Sequence, residues 1–182
     1  RSTLSSSSAA SDVYKRQPNM YKCCDKHRMF IEVYGTSKHG YIESVVFNSS
    51  GILGQVIDKD RFSEVLLLTD TSHSLPIKSE SNEFFCNANG SGRAEIITCS
   101  YNPLVWNEEI VLDQIFYTSG LGGIYPKNIK IGYIKSIEKI SSNFINLEIK
   151  LFANPLDEGS QFTFWSSRFE VSQTPISVAI NA

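Results

Sequence analysis

Turn signals recur along this chain at short, regular intervals, and this spacing limits the fold more than any other feature. From Met29 to Trp165, runs rich in β-branched and aromatic residues alternate with clusters of Gly, Asn, Asp, Ser and Pro. The clusters come about every 8–12 residues, as in β-sandwiches and barrels. No stretch carries the apolar periodicity of a helix of about ten residues or more. The spacing therefore predicts an all-β protein with no substantial helix.

The predicted strands differ in how much of their surface they bury. Residues 144–152 alternate cleanly, with Ile145, Leu147 and Ile149 on one face, which predicts a half-buried antiparallel strand. Residues 88–92 (ANGSG) predict a hairpin turn. The strands are expected at 29–34, 41–47, 52–57, 62–69, 75–78, 83–87, 93–99, 110–118, 129–140, 144–152 and 162–165. Glycines inside strands favour small, tightly coiled barrels.

Length and composition exclude some function classes. The chain has 182 residues and a net charge of −2, which argues against broad binding of nucleic acid or of an anionic membrane. No apolar run approaches the roughly 20 residues that span a bilayer. Residues 1–17 are rich in Ser and Ala and lack apolar periodicity. We therefore expect residues 1–27 to be non-native or disordered, and residues 167–182 to form a flexible tail.

The four cysteines have no metal-binding spacing, and neither a metal site nor a cofactor is predicted. They are Cys23, Cys24, Cys86 and Cys99. If the hairpin turn centres near Gly90, Cys86 falls opposite Glu95 rather than opposite Cys99. We interpret the cysteines as small buried hydrophobic residues. A disulfide between Cys86 and Cys99 across the hairpin is the alternative.

The stretch 117–126 (YTSGLGGIYP) places three glycines within four residues, between two predicted strands. A phosphate-binding loop would need a helix N-terminus after the glycines, but a strand follows here. Ser119 beside such a loop resembles a nucleophile, for which His73 near Asp70 is the one plausible base. A chymotrypsin-like β-barrel hydrolase using Ser119 and His73 is thus the alternative function. We favour a structural loop, with residues 70–73 as a polar turn.

The aromatic residues Phe84, Phe85, Tyr101 and Trp106 offer a further alternative, a stacking platform for single-stranded nucleic acid. The acidic balance of the chain argues against it, so core packing or a protein interface is the better interpretation. The residues alone predict a β-rich binding or structural module rather than an enzyme.

Five stretches, in this order, resemble the family of rod shape-determining proteins called MreC. They are 35–40 (GTSKHG), 51–56 (GILGQV), 66–70 (LLLTD) with 75–77 (LPI), 90–96 (GSGRAEI) and 118–126 (TSGLGGIYP). The last resembles the family's most specific signature, T-S-G-L-G-G-x-F-P. The family usually has a second glycine after this proline. Lys127-Asn128 stands here instead, and Asn128 is expected to fill the turn because Asn tolerates positive φ.

The resemblance implies two small β-barrels on the periplasmic side of the bacterial inner membrane. It implies a non-enzymatic scaffold of the cell-elongation machinery for peptidoglycan synthesis, which maintains rod shape. The implied partners are a class B penicillin-binding transpeptidase, MreD, the MreB system and further copies of the chain as a dimer or filament. Family members carry an N-terminal membrane helix and a coiled coil. This chain resembles a C-terminal fragment without them.

From the order of the loops, we predict that one barrel is inserted in the other. The inserted barrel is predicted at residues 48–118, and the discontinuous barrel at 28–47 plus 119–166. The glycine stretch would then be the crossing between the two barrels. The expected structural signature consists of Gly51, Gly54, Gly90, Gly92, Thr118, Ser119, Gly120, Gly122, Gly123, Pro126 and Gly132.

Overall fold

The computed structural model describes residues 14–17, 22–23, 26–33, 42–59, 62–106, 109–157 and 162–167. Thirteen β-strands and no α-helix lie in these ranges. The strands are β1 (Tyr14–Gln17), β2 (Lys22–Cys23), β3 (Lys26–Val33), β4 (Val45–Asn48), β5 (Gly51–Lys59), β6 (Phe62–Leu67), β7 (Ser74–Ser79), β8 (Phe85–Arg93), β9 (Ile96–Tyr101), β10 (Ile115–Thr118), β11 (Lys130–Ser141), β12 (Phe144–Leu151) and β13 (Thr163–Trp165). The all-β prediction is confirmed.

The strands divide into two units. Strands β7 to β12 form a closed barrel in the order β10-β11-β12-β9-β8-β7, in which all neighbouring strands are antiparallel. The other strands form a seven-stranded sheet in the order β1-β3-β6-β5-β4-β13, and β2 pairs with β3 beside this path. Closure leaves the barrel with no unpaired edge strand.

Strand β12 follows the predicted alternation. Leu147, Ile149 and Leu151 of β12 are buried, and β12 pairs with β11 on one side and β9 on the other. One face of this strand therefore contributes side chains to the core, as a clean period of two predicts.

The buried apolar residues form two clusters, a larger core and a smaller one. The larger core fills the barrel around Phe84, Phe116 and Ile134, and it also includes Val45 and Ile52 from the sheet. The smaller core lies within the sheet, around Ile31, Val56 and Phe162. Because sheet residues share the larger core, the barrel packs directly against the sheet at one end.

The predicted domain boundaries need correction. Strands β10 and β11 pair within the same closed barrel, so no boundary falls at residues 118–119. Strands β4 and β5 pair through a tight turn in which Asn48 Oδ1 accepts the N–H of Gly51, so none falls at residue 48 either. The inserted unit is the barrel, residues 74–151. The discontinuous unit is the sheet, whose last strand, β13, returns to β4.

The hairpin of β8 and β9 also differs from its prediction, and the difference explains the cysteines. Its turn lies at Ala94 and Glu95, not at residues 88–92, because β8 continues to Arg93. This register places Thr98 opposite Asn89 and so makes Cys86 and Cys99 diagonal neighbours. They form a disulfide with a Cα–Cα distance of 6.3 Å, so the favoured interpretation as free buried thiols is wrong.

The prediction that residues 1–27 lie outside the fold is wrong for the part that the structure describes, residues 14–17, 22–23 and 26–27. Residues 14–17, expected to lie outside the fold, form β1 and pair with β3. Residues 22–23 form β2. Residues 1–13 and 168–182 lie outside the described residues. Among the described residues, none belongs to a helix of the length and hydropathy that crossing a bilayer requires.

Candidate functional site: a polar joint between barrel and sheet

The glycine stretch connects β10 to β11 as a closed loop at the barrel end that faces the sheet. Thr118 fastens both ends of this loop: its N–H donates to Ile129 O at 2.9 Å, and its Oγ1 donates to Pro126 O at 2.5 Å. The same Oγ1 accepts the N–H of Ile129 at 2.9 Å. The prediction that this loop crosses between two barrels is wrong, since it joins neighbouring strands of one barrel.

Positive φ angles shape the tip of the loop. Gly122 has a φ of 81°, and a Cβ built there would meet no atom within 4 Å. Glycine is therefore favoured at this position by backbone conformation rather than by crowding. Asn128 has a φ of 66°, which confirms the positive φ expected at this turn.

Tyr125 ties the loop to the turn between β6 and β7. Its hydroxyl lies 2.7 Å from Nε2 of His73, and both side chains are buried. The His73 N–H in turn donates to Asp70 O at 2.9 Å. A polar contact therefore connects the inserted barrel to the segment that enters it from the sheet.

Asp70 is the centre of this joint. Its buried carboxylate accepts the N–H of His27 at 2.7 Å and the N–H of Ser72 at 2.8 Å. It also forms an ion pair with Arg28. Nδ1 of His27 lies 2.7 Å from Oγ1 of Thr69, which strengthens the link to β3. We call His27, Arg28, Asp70, His73 and Tyr125 the polar joint.

Strand β8 wraps over the same turn through two glycines of the expected signature. Gly90 N–H donates to His73 O at 3.2 Å, and Gly92 N–H donates to Thr69 O at 2.9 Å. A Cβ at Gly90 would overlap the carbonyl of Asp70. Only glycine lets the β8 backbone approach the joint this closely.

The other signature residues lie at turns and strand crossings. Gly51 ends the β4–β5 turn. Gly54 lies against the backbone of β6, and Gly132 lies against that of β12. The structure thus brings Gly90, Gly92 and the loop residues to the joint. Gly54 lies within the sheet, and Gly132 lies within the barrel.

Burial sets the charges of the joint. Burial lowers the pKa of His73 to about 4, an effect that the nearby Arg28 reinforces and that Asp70 opposes. Burial alone would raise the pKa of Asp70, but hydrogen bonds from Ser72 and His27 and the charge of Arg28 together hold it below its ordinary value. Burial raises the pKa of the Tyr125 phenol. At neutral pH the joint therefore contains the ion pair of Arg28 and Asp70, the neutral imidazole of His73 and the neutral phenol of Tyr125.

The predicted catalytic pair is not assembled. Ser119 Oγ donates to Pro76 O at 3.0 Å and accepts the N–H of Leu121 at 3.2 Å. His73 uses Nε2 for Tyr125, and its Nδ1 has no partner among the described residues. A nucleophile needs a base on its hydroxyl and an orienting group on that base, and Ser119 has neither contact.

Of the aromatic residues predicted as a stacking platform or packing group, Phe84 is buried in the barrel, and Phe85, Tyr101 and Trp106 are half-buried. The fully buried Phe84 packs against Tyr101, Trp106 and Phe116, with ring centroids 4.9, 5.4 and 5.7 Å away. Such tilted and edge-to-face pairs are typical of core packing. Within the described ranges, no group of three or more His, Cys, Asp or Glu side chains could hold a metal ion.

The polar joint went largely unpredicted from the sequence. Arg28 and Tyr125 carried no signal of their own, although Tyr125 occupies the aromatic position of the resembled signature. An aromatic residue between a glycine run and a proline could have indicated an anchor for the loop.

The fold and the joint define a class: an all-β module, a closed barrel docked on a sheet, whose central polar groups are bonded to one another rather than presented to a substrate. The family model described as "Rod shape-determining protein MreC, barrel core" matches residues 26–158. The chain therefore belongs to the MreC family of rod shape-determining proteins.

Two curated relatives agree with this assignment. The chain is 27% identical over 175 residues to the cell shape-determining protein MreC of Haemophilus influenzae, covering 93% of this chain and 49% of that protein. It is 27% identical over 130 residues to the Escherichia coli protein of the same description, covering 63% of this chain and 35% of that protein. The chain thus spans half or less of the length of these relatives.

Solved structures support the fold. MreC from Pseudomonas aeruginosa aligns with a TM-score of 0.62 at 24% identity, over 78% of this chain and 92% of that one. The major periplasmic domain of the cell shape-determining filament MreC aligns with a TM-score of 0.56 at 20% identity, over 79% and 86%. MreC of Helicobacter pylori, solved in complex with the penicillin-binding protein PBP2, aligns with a TM-score of 0.56 at 15% identity, over 78% and 89%.

Proposed function

We propose that this chain is the barrel region of a non-enzymatic scaffold in the cell-elongation machinery, where it helps form and maintain rod shape through peptidoglycan synthesis. The family match over the whole barrel and most of the sheet carries this proposal. Both curated relatives are described as cell shape-determining proteins.

The proposed principal partner is a class B penicillin-binding transpeptidase. Its support is the Helicobacter pylori relative, which was solved in complex with PBP2. MreD, the MreB system and further copies of the chain are the other proposed partners. Self-association draws support from the relative described as a cell shape-determining filament.

The proposed location is the periplasmic side of the inner membrane, with an N-terminal helix as the anchor of the whole protein. The relative described as a periplasmic domain supports this compartment. The disulfide between Cys86 and Cys99 supports it independently, because structural disulfides form and persist in oxidising compartments such as the periplasm.

A scaffold needs no chemical step, and the bonding of Ser119 and His73 favours this interpretation. The Ser119 hydroxyl donates to a backbone carbonyl, and Nε2 of the buried His73 lies against the Tyr125 hydroxyl. Both groups therefore serve the packing of the loop, and we propose no catalytic residue, cofactor or metal for this chain.

Calorimetric titration with the periplasmic part of the class B transpeptidase from the same organism tests the proposal. We expect saturable one-to-one binding with a Kd on the order of micromolar or tighter, the range of specific complexes. Absence of binding at concentrations about a hundredfold higher would contradict it. So would a hydrolase activity that disappears in Ser119→Ala.

A further inference from the structure

The barrel end opposite the polar joint, here called the distal end, carries the β7–β8 turn and two longer segments. The connection from β9 to β10, described at residues 102–106 and 109–114, begins directly after Tyr101, which pairs with Ile145 at the start of β12. The tip of β11 and β12 (residues 137–144) lies beside it, since Ser141 pairs with Phe144. Both segments therefore project at the same end of the barrel, away from the sheet.

Large apolar side chains are exposed on both segments. Leu104 is 77% exposed, Ile140 63% and Phe144 55%. The full set at this end is Leu104, Val105, Val111, Leu112, Ile137, Ile140 and Phe144. Single exposed apolar residues are ordinary, but a group gathered at one end of a domain marks an interaction surface.

The longer segment is braced on the barrel rather than loosely attached. Trp106 packs on Phe84 and Phe85, with centroid distances of 5.4 and 6.3 Å. The Asp113 N–H donates to Ile134 O at 3.0 Å, and the Ile134 N–H donates to Gln114 O at 3.0 Å. The segment that carries the exposed leucines and valines is therefore held in place before binding, which lowers the entropic cost of binding.

The charges around these side chains are mainly negative. Exposed carboxylates at the distal end are Glu80 and Glu83 in the β7–β8 turn, Glu109, Asp113 and Glu138. The exposed ammonium groups there are Lys135 and Lys139. Among the described residues, five acidic groups and two basic groups therefore surround the exposed apolar side chains.

We propose that the distal end is the docking surface for a protein partner that presents an apolar patch with a rim of Lys and Arg. This inference rests on the proposed scaffold function and names the surface by which it acts. Complementary rims steer such partners together, while the apolar centre supplies most of the affinity. A second copy meeting the same end would oppose like charges, and an anionic lipid surface would be repelled.

Paired substitutions at the two ends of the barrel test the inference, with the periplasmic part of the transpeptidase as the probe. The distal variants are Leu104→Ser with Leu112→Ser, and Ile140→Ser with Phe144→Ser. The matched control is Leu121→Ser with Ile124→Ser, which removes exposed apolar residues of the glycine loop at the joint end. All three doubles change exposed side chains, so thermal unfolding serves to confirm that each remains folded.

We expect each distal double to weaken binding at least about tenfold, and the control to change it less than about twofold. Reversing the rim with Glu109→Lys and Glu138→Lys should weaken binding about three- to tenfold at low salt and less at high salt. Hydrogen exchange should slow in 102–106 and 137–144 when the transpeptidase binds.

Other outcomes identify other occupants and overturn the inference. Equal affinity of wild type and distal variants would reject this surface while leaving the proposed function intact. Absence of wild-type binding would reject the transpeptidase as partner and this inference with it. Loss of self-association alone in the distal variants would make a second copy the occupant. If the wild type binds vesicles of phosphatidylglycerol and phosphatidylethanolamine and the distal variants do not, the occupant of the distal end is a membrane.

Discussion

The hydroxyl of Tyr125 lies 2.7 Å from Nε2 of His73, although 52 residues separate them in the chain. Tyr125 belongs to the glycine loop of the barrel, and His73 to the turn by which the chain leaves the sheet. Both side chains are 3% exposed, so neither polar atom can readily turn to water. This pair therefore reports on whether the barrel and the sheet are joined as described.

Tyr125→Phe removes the hydroxyl and leaves Nε2 of His73 buried without a partner. We expect a loss of about 1–3 kcal/mol in the free energy of unfolding, the cost of an unsatisfied buried polar group. Urea denaturation measures it. Tyr133→Phe, on a half-buried tyrosine of β11, is the control and should change stability by less than about 0.5 kcal/mol. Equal stability of Tyr125→Phe and wild type would mean that the pair does not form.

Stability should also depend on pH through His73. Its pKa of about 4 in the folded chain is below its ordinary value of 6.5, so the unfolded chain binds the proton more tightly. The stabilisation by the neutral imidazole is complete above pH 6.5 and is lost as the pH falls towards 4, by roughly 3 kcal/mol in all. Denaturation at pH 7, 5.5 and 4.5 measures this slope. His73→Gln should flatten it, and an unchanged slope in that variant would assign the dependence to other groups.

Much of the fold could be predicted from the sequence because strand periodicity and turn residues are local signals. The alternation in 144–152 indicated β12, and the position of Asn128 indicated its positive φ. The domain boundaries could not be predicted in this way. A glycine-rich loop between strands fits a crossing between units as well as a return within one, and only the pairing of Phe116 with Gly132 decides between them.

The missed disulfide has a similar cause. The run 88–92 (ANGSG) has ideal turn composition, yet it continues as strand β8, because Gly90 and Gly92 are needed to approach the turn at residues 69–73. The demands of tertiary contact override local turn preference here. The polar joint was missed for the same reason, since its members come from positions far apart in the chain.

Two glycine positions should respond differently to substitution. Gly90→Ala forces a methyl group into the Asp70 carbonyl, so we expect a loss of about 3 kcal/mol or more. Gly122 has open space but a φ of 81°, so Gly122→Ala should cost only about 1–2 kcal/mol. Thermal or urea denaturation compares the two. Similar losses would show that crowding at Gly90 is relieved by backbone movement.

The shape of the side chain should matter at Gly122 as well. Gly122→Val should cost more than alanine, because a β-branched residue strongly disfavours positive φ. Gly122→Asn is the control, since Asn tolerates this conformation, and it should be nearly neutral. Equal stability of the valine and asparagine variants would count against a special backbone role for the loop tip.

The disulfide should contribute measurably to the barrel. It closes a loop between residues 13 apart, and its removal should cost about 2–4 kcal/mol. Replacing both residues, Cys86→Ala with Cys99→Ala, should lower the Tm, and a reducing agent should lower the wild-type Tm but not that of the variant. A wild-type chain that titrates with two reactive thiols at these positions would contradict the disulfide.

Cell shape tests the central claim, that this protein acts by binding and not by chemistry, most directly. Cells of the source organism are depleted of their own copy and supplied with the full-length protein carrying Ser119→Ala, at normal abundance. We predict rods of wild-type width, because the Ser119 hydroxyl donates to Pro76 O and makes no contact with His73. Rounded cells, with the variant protein folded and at normal level, would contradict the account.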